Sequence, residues 1–388
     1  IDPAPQTGFH FHRPFAGARS WVRTRGTLIV GLTARVWSTA AGLATIYLST
    51  TLLSPEEQGF YYTFSSLLAL QVFFELGLNS TIITFASHEM PQLAWHEGLL
   101  VGDAVALARI HGIVSLALRW FAVAAIIFTV VVIPAGLVFF GKAAGEHSGI
   151  ARPWVLLVLG AAANMPLVAF LAAMEGTGRV ATVAAMRIGS SVVLLLINWA
   201  LLTRGAALDA FGLASLAAAT ASLTAIGLVF GRFLVNGFAM RHQRIDIGWR
   251  ENMLPMQWRI AVSWLCGYVI FNLFNPVVLA YAGPAAAGRY GLASQIATTL
   301  LGVSAVWINI RVPAFGRLIA EGRRTDLDHT FRRSLLRAVM AFVGAALTVW
   351  ILMLIARAED LSIMRRIASP EISAMIFVAN LASLIVYG

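Results

Sequence analysis

The chain has 388 residues, of which 59% are hydrophobic and 12% charged, and its formal net charge is +10. A soluble globular domain carries about 25% charged residues, so this composition excludes an ordinary soluble protein. The apolar residues cluster into runs of about 20, the length that crosses a hydrocarbon core of roughly 30 Å as a helix. Backbone groups inside lipid must be paired, which requires such runs to be helical.

Ten transmembrane spans are predicted, after an N-terminal segment (1–26). They cover residues 27–52, 60–85, 117–140, 153–173, 181–202, 208–231, 259–282, 288–311, 335–356 and 371–388. The expected fold class is therefore an all-α polytopic transmembrane helix bundle. The chain begins with Ile1 rather than methionine and stops at Gly388 inside an apolar run, so we expect a fragment that lacks further C-terminal helices.

The distribution of basic residues predicts the orientation of these spans. With the N-terminus in the cytoplasm, 17 of the 28 Lys and Arg residues fall in cytoplasmic connections and six in external ones. Cytoplasmic loops carry such an excess in membrane proteins. The long cytoplasmic connection 86–116 is predicted to be an amphipathic helix at the membrane surface, and 240–258 is predicted to be similar, since each mixes aromatic, apolar and charged residues.

A weak internal repeat has an offset of 229 residues. The segment PEEQGFYYTFSS (55–66) aligns with PAAAGRYGLASQ (284–295), with matching Pro, Gly, Tyr and Ser residues in equivalent external turns. This predicts a first six-helix bundle at 27–239, a cytoplasmic linker at 240–258 and an incomplete second bundle at 259–388. Repeated halves of this kind are typical of transporters, whose substrate site lies between the repeats.

Polar residues recur at helical spacing inside four spans. Arg35, Ser38, Gly42, Thr45 and Ser49 follow one another at steps of three and four, which places them on one helix face. The stripes in the other three spans are Gln71, Glu75 and Asn79; Arg187, Ser191 and Asn198; and Gln295, Thr298, Gly302 and Asn309. We expect these stripes to face a wet cavity, because polar groups exposed to lipid are costly. Pro166, Pro276 and Pro313 are expected to kink or break their helices.

Four arginines, Arg35, Arg187, Arg259 and Arg311, fall in the cytoplasmic half of their predicted spans. An arginine fork binds two oxygens of a phosphate group at once, so such a cluster would attract a polyanion. The alternative for Arg259 and Arg311 is that they extend to the membrane surface. Glu75 is the predicted partner of Arg35, at similar depth, or else a protonation or cation-coupling site.

Three long stretches resemble bacterial polysaccharide-export flippases, the Wzx-like members of the multidrug/oligosaccharidyl-lipid/polysaccharide (MOP) superfamily. They are LSPEEQGFYYTFSSLLALQVFFELGL (53–78), LPMQWRIAVSWLCGYVIFNLFNPVVLAYAGPAAAGRYGLASQI (254–296) and AVWINIRVPAFGRLIA (305–320). The resemblance implies two bundles in a V shape around a cationic cavity lined by Arg35, Arg187, Arg259 and Arg311, with Glu75, Asn79, Gln295 and Asn309 as polar or coupling residues.

By the same resemblance, alternating access would move a polyprenyl-pyrophosphate-linked oligosaccharide, a polysaccharide or lipopolysaccharide precursor, from the inner to the outer leaflet of the bacterial cytoplasmic membrane. The implied partners are that lipid-linked oligosaccharide, membrane lipids and glycan polymerase or ligase machinery. No nucleic acid partner, metal or cofactor is expected, since the histidines lack metal-ligand spacing.

Two alternatives remain open from the residues. A membrane glycan polymerase or ligase is disfavoured because the predicted external connections are short, about 15 residues at most, and such enzymes use a long external loop. A cation-coupled multidrug antiporter of the same superfamily would favour acidic cavity residues. The predicted spans contain one acid, Glu75, and five arginines, which favours an anionic substrate.

Overall fold

The computed structural model describes residues 37, 40–143, 149–239 and 254–387. The predicted cavity residue Arg35, its neighbour Ser38 and most of the predicted 240–258 linker lie outside the described residues. The N-terminal segment 1–26 also lies outside them.

Helices dominate the described chain. Their bounds are α1 Ala40–Leu52, α2 Pro55–Leu68, a 3₁₀ turn at Ala69–Gln71, α3 Val72–Glu75, α4 Leu78–Glu89, α5 Ala104–Ala143, α6 Ala151–Gly176, α7 Val180–Thr203 and α8 Asp209–Ala239. They continue with α9 Leu254–Phe271, α10 Phe274–Ala282, α11 Pro284–Ser304, α12 Val306–Asn309, α13 Val312–Ala320, α14 Arg324–Ala358 and α15 Pro370–Tyr387.

The described helices overlap all ten predicted spans, and the part of the first span before Ala40 lies outside the described residues except for Trp37. Within the described residues, seven stretches are long and apolar enough to cross a bilayer. The count is eight if the bent pair Pro55–Glu75 and Leu78–Gln92, with an angle of 45° between its parts, is one span. The helices of the first and tenth spans, Ala40–Leu52 and Pro370–Val386, are shorter apolar helices in the described chain. The predicted all-α bundle is confirmed.

The predicted surface helix at 86–116 is wrong. Helix α4 continues to Glu89, a short antiparallel hairpin follows with strands β1 Leu93–His96 and β2 Leu99–Gly102, and α5 already begins at Ala104. Its two turn residues, Glu97 and Gly98, both have positive φ, as a tight two-residue hairpin turn requires.

That hairpin is anchored by Trp95. The indole Nε1 of Trp95 donates to the carbonyl of Thr177 at 3.0 Å, and the Arg179 guanidinium lies 4.6 Å from the ring centre. The ring also packs near Phe230 and Phe233 of α8. The hairpin therefore joins the turn between α6 and α7 to the end of α8.

The buried residues form two main apolar cores. One is built almost entirely from residues 60–233, and the other from residues 292–384 together with Tyr62. Both cores reach the pair of helices α2 and α11, which begin with the equivalent prolines Pro55 and Pro284. Helices α2 and α11 therefore lie where the two halves meet.

The contact between α2 and α11 is reciprocal. A side-chain carbon on Gly59 would overlap the backbone of Pro284, and one on Gly288 would meet the backbone of Pro55. The Gln58 amide also donates to the Gly288 carbonyl at 3.1 Å. The repeat offset of 229 relates the two glycines to each other and the two prolines to each other, so the helices approach closely because each has a glycine where its partner begins.

Two of the three prolines that were predicted to kink or break their helices lie beside a helix end, and the third does not. Pro276 follows the break between α9 and α10, and Pro313 lies in the first turn of α13, just after the break at Ile310–Arg311. Pro166 lies inside α6, which runs unbroken from Ala151 to Gly176, so the expected helix break there is absent. Neighbouring helices, Ser and Thr side chains and local adjustments let a membrane helix continue through a proline.

Candidate functional site

A cavity of about 440 Å³ lies between the bent second span and α9. The wall formed by the second span belongs to the first half of the chain, and the wall formed by α9 belongs to the second half. Its lining combines five apolar or small residues with five polar ones: Ala69, Val72, Trp264, Gly267 and Phe271, and Gln71, Glu75, Ser263, Tyr268 and Asn272. Ligand cavities of a few hundred Å³ typically have this mixture of apolar walls and few polar groups.

Glu75 is the one ionisable acid of this lining, and it is only 7% exposed. Its Oε2 accepts a hydrogen bond from the Asn79 amide at 3.1 Å. Within the described part of the chain, no Arg, Lys or His forms an ion pair with it. A buried carboxylate is costly unless a counter-charge, a bound cation or a proton neutralises it. The predicted partner Arg35 lies outside the described residues.

The backbone at Glu75 is distorted. Glu75 ends α3, and the next two residues, Leu76 and Gly77, have φ values of 50° and 68°. The left-handed conformation is costly for leucine, because its Cβ crowds the following carbonyl. Strained backbone of this kind concentrates at binding and switching sites. The distortion produces the 45° bend and places the only acid of the cavity at that bend.

The equivalent position in the second half is less distorted. The repeat offset of 229 relates Glu75 to Ser304 and Leu76 to Ala305. Ser304 is the last residue of α11, and Ala305 separates α11 from α12. Ala305 keeps right-handed helical backbone angles and Pro284–Asn309 remains one span, so the left-handed bend of the second span has no counterpart at this position of the repeat.

A second interruption borders the cavity in α9. Helix α9 ends at Phe271, and α10 begins at Phe274. Pro276 has no N–H with which to bond the carbonyl of Asn272, four residues earlier, so the helical ladder fails there. Asn272 therefore lines the cavity at a point where its backbone carbonyl lacks the helical bond from Pro276.

The predicted cations have different surroundings. Arg259 is exposed and precedes the cavity residues Ser263, Gly267 and Phe271 at successive steps of four, so it extends their face of α9 toward the start of that helix. Arg311 is exposed between α12 and α13. Arg187 lies 2.8 Å from Glu175, which supplies its counter-charge. These contacts do not test whether any of them binds substrate.

Of the predicted polar residues, Gln71 and Glu75 line the cavity, and Asn79 donates a hydrogen bond to Glu75. Gln295 and Asn309 are exposed on α11 and α12 but are not part of its wall. Ser191 and Thr45 instead join two helices, since Trp37 Nε1 donates to Ser191 at 3.4 Å and Trp199 Nε1 to Thr45 at 3.1 Å.

Sequence analysis missed the wall that α9 supplies. Ser263 and Gly267 are four residues apart, as are Tyr268 and Asn272, so the four residues form a polar and small stripe of the kind used for the other spans. That spacing could have identified these residues. The placement of the stripe opposite Gln71 and Glu75 depends on packing between distant helices.

No family model and no curated protein sequence matches the chain. Among solved structures, it is similar to the inward-facing conformation of a multidrug resistance MATE family transporter of the MOP superfamily, with 15% identity, a TM-score of 0.54, and coverage of 92% of this chain and 79% of that one. An outward-facing conformation of a MATE family transporter of the same superfamily has 13% identity, a TM-score of 0.49, and coverage of 93% and 78%. The first likeness shows that the chain has the fold of a MATE transporter of the MOP superfamily.

Proposed function

We propose that this protein is a membrane transporter that works by alternating access, with its substrate held between the two halves. The observation that carries the proposal is the cavity itself, which is walled by the second span of one half and the seventh span of the other. Helix breaks at Leu76–Gly77 and Asn272–Leu273 border it. Breaks of this kind supply backbone groups and bending points near the middle of transporters. The fold it shares with a MATE transporter supports the same class of activity rather than an enzyme.

The proposed substrate is a polyprenyl-pyrophosphate-linked oligosaccharide, moved from the inner to the outer leaflet of the bacterial cytoplasmic membrane. Arg259 supports this substrate, because it is exposed on the cavity face of α9 and has no ion-pair partner among the described residues. Trp264 and Phe271 give the same face an apolar surface. A volume of 440 Å³ would accept the part of the lipid next to the pyrophosphate rather than the whole molecule. Arg35 and Arg311 complete the proposed cationic path.

A second candidate, a cation-coupled multidrug antiporter, is favoured by Glu75. It is the sole ionisable acid of the lining, and no arginine reaches the cavity wall in the described chain. Tyr268, Trp264 and Phe271 supply aromatic faces, which attract organic cations. In the flippase, Glu75 would couple transport to a proton or a metal cation instead of binding substrate.

One pair of assays separates the two candidates. Purified protein in liposomes is tested for translocation of a fluorescent polyprenyl-pyrophosphate sugar and, separately, for uptake of a hydrophobic organic cation. The flippase proposal predicts that the unaltered protein translocates the lipid-linked sugar. Arg259→Ala should translocate it at least about tenfold more slowly, since a charge-assisted contact contributes roughly 1.5–3 kcal/mol. Arg357→Ala should have normal activity. Arg357 is a matched control because it pairs with Glu371 at 2.7 Å, away from the cavity.

The opposite result would replace the flippase proposal. If the protein carried the organic cation, ignored the lipid-linked sugar and kept its activity in Arg259→Ala, the antiporter would be the correct assignment. If neither compound moved while the protein remained folded, the proposed transport class itself would fail for these substrates.

A further inference from the structure

Helix α14 carries an exposed apolar stripe whose length matches one bilayer. Leu336, Met340, Leu347, Ile351 and Ile355 are each between 51% and 59% exposed. With the exposed Gly344, they follow one another at steps of three and four, so they occupy one face. The rise from the first to the last is about 29 Å at 1.5 Å per residue. That length equals the hydrocarbon thickness of a typical bilayer, roughly 30 Å.

Charged residues mark both ends of this stripe. One turn before Leu336 the same face carries Arg332, and one turn after Ile355 it carries Glu359, both of them exposed. These two residues are about 40 Å apart along the helix, which matches the bilayer with its headgroup layers. Arg332 therefore lies at the level of the lipid phosphates on the amino-terminal side of α14.

The two ends differ in charge. Arg332 and its neighbour Arg333 are exposed and form no ion pair with any described residue, although Asp328 is one turn away. The acids Glu321 and Asp326 are instead paired with Arg323, at 3.1 Å and 2.8 Å. At the far end of α14, Arg357 is already paired with Glu371, and Glu359 and Asp360 add negative charge. The far end thus mixes these acids with Arg365 and Arg366, whereas the Arg332 end presents two adjacent unpaired arginines and is better suited to an anion.

The turn that carries these arginines is held in place. Phe331 packs edge-on against Phe315 of α13, with ring centres 6.0 Å apart. Leu318 of α13 is buried, whereas Ile319 on the same helix is 65% exposed. Helix α13 thus supports α14 from one side, and Arg332 and Arg333 stay exposed.

We propose that Arg332 and Arg333 bind the headgroup of an anionic phospholipid in the leaflet at the amino-terminal end of α14, while the stripe from Leu336 to Ile355 contacts its acyl chains. Arginine suits a phosphodiester because its planar fork donates to two oxygens at once. Each basic residue near an anionic surface contributes roughly a fivefold preference for it. The site is separate from the cavity between the halves and does not depend on which substrate is transported.

The test uses the full-length purified protein titrated with phosphatidylglycerol or phosphatidylcholine, with bound lipid counted by native mass spectrometry. Unaltered protein and the control Arg357→Gln should select phosphatidylglycerol, and R332Q/R333Q should lose most of that selection. R332K/R333K should keep a part of it, since the charge remains but the fork is lost. The selection by unaltered protein should also weaken as salt rises.

Several outcomes would overturn the proposal. The first is equal binding of the two lipids by the unaltered protein, and the second is undiminished selection of phosphatidylglycerol by R332Q/R333Q. The third is displacement of the lipid by inorganic phosphate at the same concentration, which would indicate a site for soluble phosphate. A dimer that dissociates in R332Q/R333Q would show that a second copy covers this face. If that variant did not fold, the lysine pair and the salt series would still decide the question.

Discussion

The amide of Asn79 reaches back across a bend in the second span to bond the carboxylate of Glu75, with 3.1 Å between Nδ2 and Oε2. Residues four apart normally meet on one continuous helix, but here a left-handed pair, Leu76 and Gly77, separates them. The hydrogen bond thus ties α3 to α4 at the wall of the cavity, and a change in the charge of Glu75 acts directly on the bend.

Replacement of Glu75 by glutamine should abolish coupling to an ion gradient while the fold is kept, because the amide is similar in shape but carries no titratable charge. We expect transport driven by a proton or sodium gradient to fall at least about tenfold, which corresponds to 1.4 kcal/mol. Gradient-driven flux in liposomes measures this effect. The variant Glu89→Gln, which loses the pair with Arg109 away from the cavity, is the control. Unchanged gradient dependence in E75Q would rule out a coupling role.

Replacement of Pro276 by alanine should restore the backbone hydrogen bond that is missing between α9 and α10 in the seventh span. The new N–H can bond the carbonyl of Asn272, so α9 and α10 can join into one helix. We expect slower transport, with a melting temperature that is unchanged or higher. Pro166→Ala is the matched control, since Pro166 already lies in the continuous helix α6. Equal transport by the two proline variants would show that the break in α9 is not needed for function.

Replacement of Gly59 by alanine should prevent close packing of α2 on α11. The added carbon overlaps the backbone of Pro284, which cannot move as a flexible side chain would. Overpacking of this kind costs about 1–3 kcal/mol. Gly302→Ala is the control, because nothing lies within 4 Å of the position where its side chain would begin. The measurement is labelling by an impermeant thiol reagent at a cysteine introduced at position 55, in a background where Cys266 is serine.

The expected result is faster labelling at position 55 in G59A than in G302A, since the two helix ends would separate. Equal labelling rates, together with equal melting temperatures, would contradict the packing described for α2 and α11.

Replacement of Trp95 by phenylalanine should loosen the hairpin from the turn between α6 and α7. The variant loses the 3.0 Å bond to the Thr177 carbonyl and weakens the stacking of Arg179. We expect a loss of about 1 kcal/mol in the free energy of unfolding. Trp258→Phe is the control, since that indole is 61% exposed. Thermal unfolding in detergent provides the comparison, and identical midpoints would argue against an anchoring role.

The spans could be predicted from the sequence because run length and hydropathy are local properties of the chain. The hairpin could not be found in this way, since Leu93–Gly102 mixes apolar and polar residues much as a surface helix would. Its only local signal is the turn residue Gly98 after Glu97. The bend at Leu76 and Gly77 had a similar faint signal, a glycine inside an apolar run.

The cavity was predicted in part. Glu75 was identified from the sequence because an acidic side chain inside a membrane span is energetically costly and therefore a candidate functional residue. Ser263, Tyr268 and Asn272 carry no charge, and their importance depends on α9 lying opposite the second span, which is a contact over nearly 200 residues of sequence. The four predicted arginines stay a prediction: Arg35 is outside the described residues, and the others do not line the cavity wall.

The packing of α2 on α11 has the property of an isologous interface, as found in symmetric homodimers. In such an interface, residue i of one copy meets residue j of the other, and j meets i in return. Gly59 with Pro284 and Gly288 with Pro55 satisfy this condition within a single chain. Such an arrangement is what fusion of two copies of a dimeric ancestor would leave behind. Because the two contacts join equivalent pairs of residues, a motion that keeps them equivalent opens or closes both together.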